Sequence, residues 1–234
     1  MNEDTISKYT IKRLVKDIAD VTKHPLHDQG IYYHHDETNM LIGYALIIGP
    51  EDTPYQYGFY HFKIEYPATY PDSPPTVTFL TNKDKIRFNP NLYRNGKCCL
   101  SILNTWSGDQ WSSCQTLRSI LLTLVTVFNK FPFLNEPAIT EAHVDYDSYH
   151  KLIEYCNIKI AFLGTINKDI STIDYTIFEK EIHQEYSKNV AKVLAYIKKE
   201  NWNNLEPIVY TNNLYNIKCS CHYKSIYDEV IKLK

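Results

Sequence analysis

The sequence has little net charge and little arginine. Its formal net charge is -2 with an isoelectric point near 6.5, and lysine supplies all positive charge except that of Arg13, Arg87, Arg94 and Arg118. Proteins that bind nucleic acid typically concentrate a strong basic excess on one face. We therefore expect no nucleic-acid partner, and any partner has to be recognised by a local surface.

A long apolar run is also missing. No stretch approaches the ~18 uninterrupted apolar residues that a membrane span needs, and the start, Met1-Asn2-Glu3-Asp4, is acidic rather than basic as in a secretory signal. We therefore expect no membrane association and a location in the cytoplasm or the nucleus. In such a reducing compartment the six cysteines are expected to be free thiols rather than a disulfide scaffold.

Glycine and proline are almost absent from the C-terminal part. All prolines except Pro207, and all glycines except Gly164, lie at or before Pro137. The first part is therefore predicted to be rich in turns and the remainder mainly helical. A chain of 234 residues fits one core domain with an appendage. We place the core domain at residues 1–163 and a mainly helical extension at residues 164–234.

Hydrophobic periodicity predicts the elements of the fold. Ile11, Leu14, Val15 and Ile18 have the spacing of an amphipathic helix that ends near His24-Pro25. Strands are predicted at 31–35, 41–48, 59–66 and 76–80, the last three as an antiparallel meander. The apolar face between Leu117 and Phe128 predicts a core helix, and further helices are predicted over 139–163 and around 178–197.

The segment between Phe88 and Leu103 is predicted to be a stiff loop that presents one sulfur. Pro90 fixes its own φ, and Gly96 permits a positive φ just before Cys98 and Cys99. Consecutive residues of an extended stretch point to opposite sides, so one cysteine should face the interior and the other a groove. Free cysteines are more often buried than reactive, and the loop by itself does not identify the nucleophile.

Four ordered motifs resemble the ubiquitin-conjugating enzymes (E2s). The first is Asn89-Pro90-Asn91 followed, eight residues after Asn91, by Cys99-Leu100. The others are the segment from Gly49-Pro50 to Tyr55, the segment from Tyr66-Pro67 to Pro74-Pro75, and the pair Trp111-Ser112 with Asn135-Glu136-Pro137-Ala138. The resemblance covers roughly residues 6–163. With Asn89 in place of the usual His, it is strongest to the larger Z-class E2s, which carry a C-terminal extension.

The resemblance implies an α+β, UBC-like fold with an N-terminal helix, a four-stranded antiparallel meander sheet and C-terminal helices, followed here by the extension. It also implies an acyltransferase. Cys99 would accept ubiquitin or a ubiquitin-like protein from an E1 activating enzyme as a thioester, then pass it to a substrate lysine or to a cysteine of an E3 ligase. No cofactor is implied, because ATP is consumed at the E1 step, and no metal.

Roles for other residues follow from the same resemblance. Asn91 is expected either to donate to the developing oxyanion or to pin the loop by backbone hydrogen bonds. Glu136 is expected to orient an incoming lysine, with an ordinary solvated carboxylate as the alternative. The remaining loop residues, Asn89, Pro90, Tyr93 and Gly96, are expected to be structural, and Tyr93 is expected to line the groove.

The resemblance also places candidate partner-binding residues on two surfaces. Lys8, Lys12, Arg13 and Lys16 lie on the helix that contacts E1 in this family. Asp72 and Ser113 stand where many E2s present different residues to E3 ligases, which leaves binding to common ligases open. Cys98, where the family usually has Ile or Val, is expected to be buried.

Two other classes of function stay open at this point. An inactive E2-like module would bind ubiquitin without forming a thioester. A cysteine hydrolase would need a histidine base within hydrogen-bonding reach of Cys99. The run Cys219-Ser220-Cys221-His222 contains metal-ligand residue types but lacks the second pair that a structural zinc site needs.

Overall fold

The computed structural model describes residues 6–84 and 86–233. The acidic start, on which the predicted lack of a secretory signal rests, lies outside these ranges. In chain order the elements are α1 (Lys8–Lys23), β1 (Ile31–His35), β2 (Ile42–Ile48), β3 (Phe59–Glu65), β4 (Thr76–Phe79), α2 (Leu117–Thr126), α3 (Tyr146–Cys156), α4 (Glu179–Lys199), β5 (Ile208–Asn212), β6 (Ile217–Cys221) and α5 (Tyr223–Lys232). In these ranges, no helix is both long enough and apolar enough to cross a membrane.

The first four strands form one antiparallel sheet in the order β1-β2-β3-β4. Ala45 of β2 lies opposite Phe62 of β3, which in turn lies opposite Phe79 of β4. The predicted meander is confirmed, with strand boundaries within one residue. Alternation along β3 made this part of the prediction reliable, since residues two apart share one face of a strand.

The helix α1 is confirmed, but its buried stripe differs from the predicted one. Its buried residues are Thr10, Leu14, Asp17 and Val21, whereas Val15 is 51% exposed. The two polar members have hydrogen-bond partners: Thr10 Oγ1 donates to the carbonyl oxygen of Ala68 at 2.9 Å, and Asp17 Oδ2 accepts from the hydroxyl of Tyr70 at 2.5 Å. Paired polar groups can be buried at small cost, so Thr10 and Asp17 can lie on the buried face of the helix.

One face of the sheet packs against α2 and the segment that follows it. Thr116 caps α2 by accepting from the N–H of Ser119, whose hydroxyl accepts in return from the N–H of Thr116. The buried positions of the helix are Leu117, Ile120, Leu121 and Leu124. Just beyond the helix, the ring of Phe128 stacks on that of Tyr60 with centroids 4.4 Å apart. The predicted core helix is confirmed.

The opposite face of β3 is covered by the extension. His61, which alternates with the apolar residues Tyr60 and Phe62, is 2% exposed. Its ring lies 6.3 Å from that of Tyr175 and 6.0 Å from that of Phe178. Alternation alone would leave this polar side chain on the solvent face, and the segment that leads into α4 buries it instead.

The helix predicted over 139–163 begins later than expected. Residues 139–145 form turns, α3 begins at Tyr146, and the helical path continues as a π-helical segment over Asn157–Gly164. The predicted domain boundary between residues 163 and 164 therefore falls inside one continuous helical path, which runs on to residue 166. One apolar cluster includes Leu14 and Phe62 of the core domain together with Val193 and Tyr215 of the extension.

The extension contains a β-hairpin that the sequence reading did not predict. Strands β5 and β6 pair antiparallel, with Asn212 opposite Ile217. β5 carries no clear apolar alternation, since Ile208 is 37% and Val209 is 52% exposed. The description of the extension as mainly helical therefore omits the element that reaches the candidate active site.

Candidate active site

The segment between Phe88 and Leu103 folds back on itself after β4. The N–H of Tyr93 donates to the carbonyl of Lys97 at 2.9 Å, and the N–H of Gly96 donates to the carbonyl of Tyr93 at 2.9 Å. Gly96 has a φ of +87°, and a Cβ on it would lie 3.0 Å from the carbonyl oxygen of Phe79. The positive φ predicted for Gly96 is confirmed, and the loop is a turn held against β4.

Asn89 is buried and forms hydrogen bonds with several segments around this loop. Its Nδ2 donates to the hydroxyl of Tyr55 at 3.0 Å and to the carbonyl of Val127 at 2.7 Å. Its Oδ1 accepts from the N–H of Asn91 at 2.9 Å and from Nδ2 of Asn135 at 3.4 Å. All four hydrogen-bonding positions of the amide are used, more than an imidazole could satisfy at this site. The side chain thereby joins four separate segments.

Asn91 and Cys99 are paired directly. Asn91 Nδ2 donates to the carbonyl oxygen of Cys99 at 2.8 Å, and the N–H of Cys99 donates to the carbonyl oxygen of Asn91 at 2.8 Å. Asn91 is 6% exposed. In this conformation the amide is engaged in holding the loop, which is the second of the two roles expected for it.

The two adjacent cysteines differ in their surroundings but not in their exposure. Cys98 belongs to the apolar core cluster, and burial raises the pKa of its thiol. Cys99 lies outside that cluster, yet each residue is only 2% exposed. The predicted groove is not open at Cys99 in this conformation, because that residue is buried.

Glu136 is not a freely solvated carboxylate. Its Oε2 accepts from the hydroxyl of Tyr215 at 2.5 Å and lies 3.7 Å from Nη2 of Arg87. Tyr215 sits at the tip of the β5–β6 hairpin, and sequence reasoning did not select it. The two residues are 79 positions apart, so no local pattern could have linked them.

Tyr93 takes part in an aromatic and cationic stack beside the loop. The guanidinium of Arg87 lies 4.0 Å from the ring centroid of Tyr93 and 4.3 Å from that of Tyr215. Nη2 of Arg87 also donates to the carbonyl of Pro90 at 2.5 Å. Arg87 therefore connects the loop that carries Cys99 to Glu136 and to the extension.

The basic residues of α1 divide into two groups. The side chains of Lys8, Lys12 and Lys16 are exposed. Arg13 is half-buried: its Nε donates to Asp17 at 3.0 Å and its Nη1 donates to the carbonyl of Ser113 at 2.7 Å, while Nη2 donates to the carbonyl of Gln115. Arg13, expected on a partner-binding face, thus joins α1 to the loop before α2.

Asp72 and Ser113 are brought together although they lie far apart in the sequence. The hydroxyl of Ser113 donates to Oδ1 of Asp72 at 3.5 Å, and both residues are exposed. Nearby, Nε1 of Trp111 donates to the carbonyl of Pro71 at 2.7 Å. Two of the resembling motifs therefore meet in one exposed surface.

The remaining chemical candidates lie elsewhere. Cys219 and Cys221 have their sulfurs 4.0 Å apart on β6, and hydrogen bonds from Cys156 and Cys221 lower the pKa of the Cys219 thiol. The neighbouring His222 is exposed, and the described residues contain no group of three or more potential ligands arranged for a metal ion.

A hydrolase-like histidine base is not seen. Hydrogen bonds of the histidine rings go to residues such as Tyr33, Glu181 and Tyr146, and in the described ranges none goes to Cys99. The requirement set for a cysteine hydrolase is therefore not fulfilled in this conformation.

Comparison with known proteins identifies the family. The model of the family described as "Ubiquitin-conjugating enzyme" matches residues 13–157. "Ubiquitin-conjugating enzyme E2 Z" of Danio rerio is 33% identical over 207 residues, which cover 86% of this chain and 62% of that protein. The Homo sapiens protein of the same name is 40% identical over 152 residues, 64% of this chain and 42% of that protein.

Among solved structures, that of human ubiquitin-conjugating enzyme E2 G1 is similar with a TM-score of 0.45 and 26% identity, covering 52% of this chain and 94% of that one. The chain spans about half the length of the curated E2 Z relatives that it matches. The family match includes α2, the four-stranded sheet and the loop around Cys99. The chain belongs to the ubiquitin-conjugating enzyme family, has its UBC fold, and is close to the Z class.

Proposed function

We propose that the chain is an active E2 in which Cys99 carries ubiquitin or a ubiquitin-like protein as a thioester. The Cys99 thiolate attacks the carbonyl of the E1 thioester, a new carbon–sulfur bond forms, and the E1 cysteine leaves as a thiolate. The step is nearly balanced in energy, because one thioester replaces another. This chain needs no cofactor, since ATP is consumed when the modifier is activated on E1.

The observation that carries the proposal is the pairing of Cys99 with Asn91. Two hydrogen bonds of 2.8 Å fix the backbone of Cys99, which lies outside the apolar cluster that takes up Cys98. A cysteine is nucleophilic even at a small thiolate fraction near neutral pH, so a thiol on a fixed backbone is sufficient. Cys98, with a raised pKa and an apolar setting, is the less suitable nucleophile.

The second step is transfer to an acceptor. An uncharged lysine amine attacks the Cys99 thioester, the tetrahedral intermediate collapses, and Cys99 leaves while an isopeptide bond forms. An E3 cysteine would take the modifier by exchange of one thioester for another. The amide of Asn91 would support the oxyanion by moving from its present partner, and Glu136 would orient the lysine or accept its proton.

Partner surfaces follow from the exposed candidates. We assign contact with the E1 enzyme to the lysines of α1, namely Lys8, Lys12 and Lys16, which are exposed. The exposed surface formed by Asp72 and Ser113 is the candidate binding site for an E3 ligase. Arg13 is left out of the contacting set because its guanidinium is occupied within the chain.

Charging by E1 enzymes tests the proposal. The chain is incubated with ATP, a panel of E1 enzymes, and ubiquitin or ubiquitin-like proteins, and the products are separated without reductant. We expect an adduct that a thiol reductant removes, that Cys99→Ala abolishes and that Cys98→Ala keeps. Cys99→Ser should give an oxygen ester that resists the reductant. Absence of an adduct with every E1 and modifier would refute the proposal.

One observation favours a second candidate, an E2-like module that binds ubiquitin without being charged. Cys99 is only 2% exposed, so its sulfur must be uncovered before it can react. If partner binding uncovers it, the adduct forms. Measurable affinity for ubiquitin without any adduct would favour the module.

A further inference from the structure

The hairpin of the extension reaches residues that the proposed function uses. We infer that its tip is part of the acceptor side of the active site, and that Tyr215 is a positioning residue that holds Glu136 for transfer to lysine. This inference rests on the proposed function and gives the extension a role in the choice of acceptor.

The tip of the hairpin is fixed to the core domain by a buried carboxylate. Asp145, 3% exposed, accepts from the N–H of Asn213 at 2.9 Å, from Nδ2 of Asn213 at 3.0 Å and from the N–H of Leu214 at 3.1 Å. Within the tip, Oδ1 of Asn212 accepts from the N–H of Tyr215 at 2.8 Å. Charge-assisted hydrogen bonds of this kind are strong, so the position of Tyr215 is well defined.

Two arginines attach the same tip to the Cys99 loop. Arg94 donates to the carbonyl of Tyr215, and also to that of Asn216 at 3.3 Å. Arg87 lies between the rings of Tyr93 and Tyr215. The tip therefore contacts the segment that leads into the turn at Gly96 through both arginines.

The ring of Tyr215 is enclosed by aromatic side chains. Its centroid lies 5.8 Å from that of Phe133 and 5.7 Å from that of Tyr149. Burial, together with its bond to the carboxylate, raises the pKa of Tyr215. The hydroxyl therefore keeps its proton and serves as a permanent donor to Glu136 Oε2 at 2.5 Å.

This arrangement leaves one carboxylate oxygen in a defined place. Tyr215 and Arg87 both approach Oε2 of Glu136, so Oε1 is the oxygen that can face an incoming amine. A lysine must be uncharged to attack, and a fixed acceptor for its proton raises the rate. A cysteine acceptor releases its proton far more readily. Loss of the Tyr215 hydroxyl should therefore slow transfer to lysine and spare transfer to a thiol.

The experiment compares two acceptors with the charged protein. Charging by E1 is first stopped by exhausting the ATP. The rate at which the thioester is then discharged is measured with free L-lysine and, separately, with free L-cysteine. Tyr215→Phe removes only the hydroxyl and keeps the ring between Arg87 and Phe133. The matched control is Tyr210→Phe in the same hairpin, whose hydroxyl faces that of Tyr223 at 3.3 Å.

We expect Tyr215→Phe to charge normally, to discharge to L-lysine about tenfold more slowly, and to discharge to L-cysteine at the wild-type rate. Tyr210→Phe should match the wild type with both acceptors. Because Tyr215 acts through Glu136, adding Tyr215→Phe to Glu136→Ala should produce no further loss.

Three outcomes would overturn the inference. They are a wild-type rate of discharge of Tyr215→Phe to L-lysine, an equal loss with both acceptors, and additive effects in the double variant. Each is distinct from failure of the proposed function, which would appear earlier as a wild-type chain that forms no thioester.

Discussion

The side-chain amide of Asn91 donates to the carbonyl oxygen of Cys99 at 2.8 Å, while the backbone N–H of Cys99 donates to the carbonyl oxygen of Asn91 at the same distance. The pair closes the loop on itself. The Asn91 side chain thus contributes directly to the shape of the backbone at the proposed nucleophile.

Replacement of Asn91 tests this pairing. Asn91→Ala leaves the carbonyl of Cys99 without its side-chain donor, and an unsatisfied buried acceptor costs about 1–3 kcal/mol. We expect the free energy of unfolding, measured by urea denaturation, to fall by that amount. Asn95→Ala, an exposed asparagine of the same loop, is the control. A fall no larger than that of the control would contradict the loop-holding role.

The four bonds of Asn89 predict a larger effect. Asn89→Ala deprives the N–H of Asn91 and the carbonyl of Val127 of their partners at once, and we expect a loss of about 2–4 kcal/mol in unfolding free energy. Asn89→His should recover only part of it, because an imidazole offers fewer positions. Thermal denaturation of the wild type and the two variants measures their order of stability. Full recovery of the unfolding free energy in Asn89→His would show that the two hydrogen bonds available to an imidazole are sufficient.

Arg13 is predicted to matter for stability more than its lysine neighbours. Arg13→Lys keeps the charge but loses the planar fork that reaches Ser113 and Gln115, and it should lower the unfolding free energy by about 1–2 kcal/mol. The exposed Lys12→Ala should change it by less than about 0.5 kcal/mol. Chemical denaturation compares the two. Equal effects would mean that Arg13 does not join α1 to the loop.

His61 predicts a pH dependence of stability. Burial lowers the pKa of His61 to about 3, whereas an unfolded histidine has the reference pKa of about 6.5. The unfolded state therefore binds the proton first, so this contribution to stability is complete above pH 6.5 and is lost as the pH falls from 6.5 towards 3. At pH 5 the loss from this group should be about 2 kcal/mol.

The measurement is the unfolding free energy of the wild type and of His61→Gln between pH 5 and pH 7.5. Between pH 7.5 and pH 5, the glutamine variant should lose about 2 kcal/mol less unfolding free energy than the wild type, whatever its stability at pH 7.5. His183→Gln, which changes an exposed histidine, should keep the wild-type slope. Identical slopes for wild type and His61→Gln would refute the prediction.

Local patterns were sufficient for most of the core domain. Alternation in β3, the apolar face of α2 and the positive φ of Gly96 depend on residues within a few positions of one another. Each fixes a strand face, a helix stripe or a turn through backbone sterics and period alone. The motif around Cys99 has the same local character, which is why the family could be identified from it.

The limits of the helices and the burial of polar residues were harder to predict from the sequence. The start of α3 at Tyr146 and the burial of two polar residues depend on other segments: Asp17 accepts from Tyr70, and His61 packs beside the rings of Tyr175 and Phe178. A polar residue reads as exposed unless its partner is known, since burial without a partner is costly. The hairpin β5–β6 was missed for a related reason, because its strands are stabilised by packing on α3 rather than by a strong pattern of their own.

By itself, then, the sequence determined the family, the strand meander, the core helix and the loop that carries Cys98 and Cys99. The tertiary structure decided which groups meet: Asn89 with Tyr55, Arg13 with Ser113, and Tyr215 with Glu136. These pairs lie 34, 100 and 79 positions apart. Contacts at such separations are set by the packing of whole elements, because no short-range period in a sequence relates residues that only folding brings together.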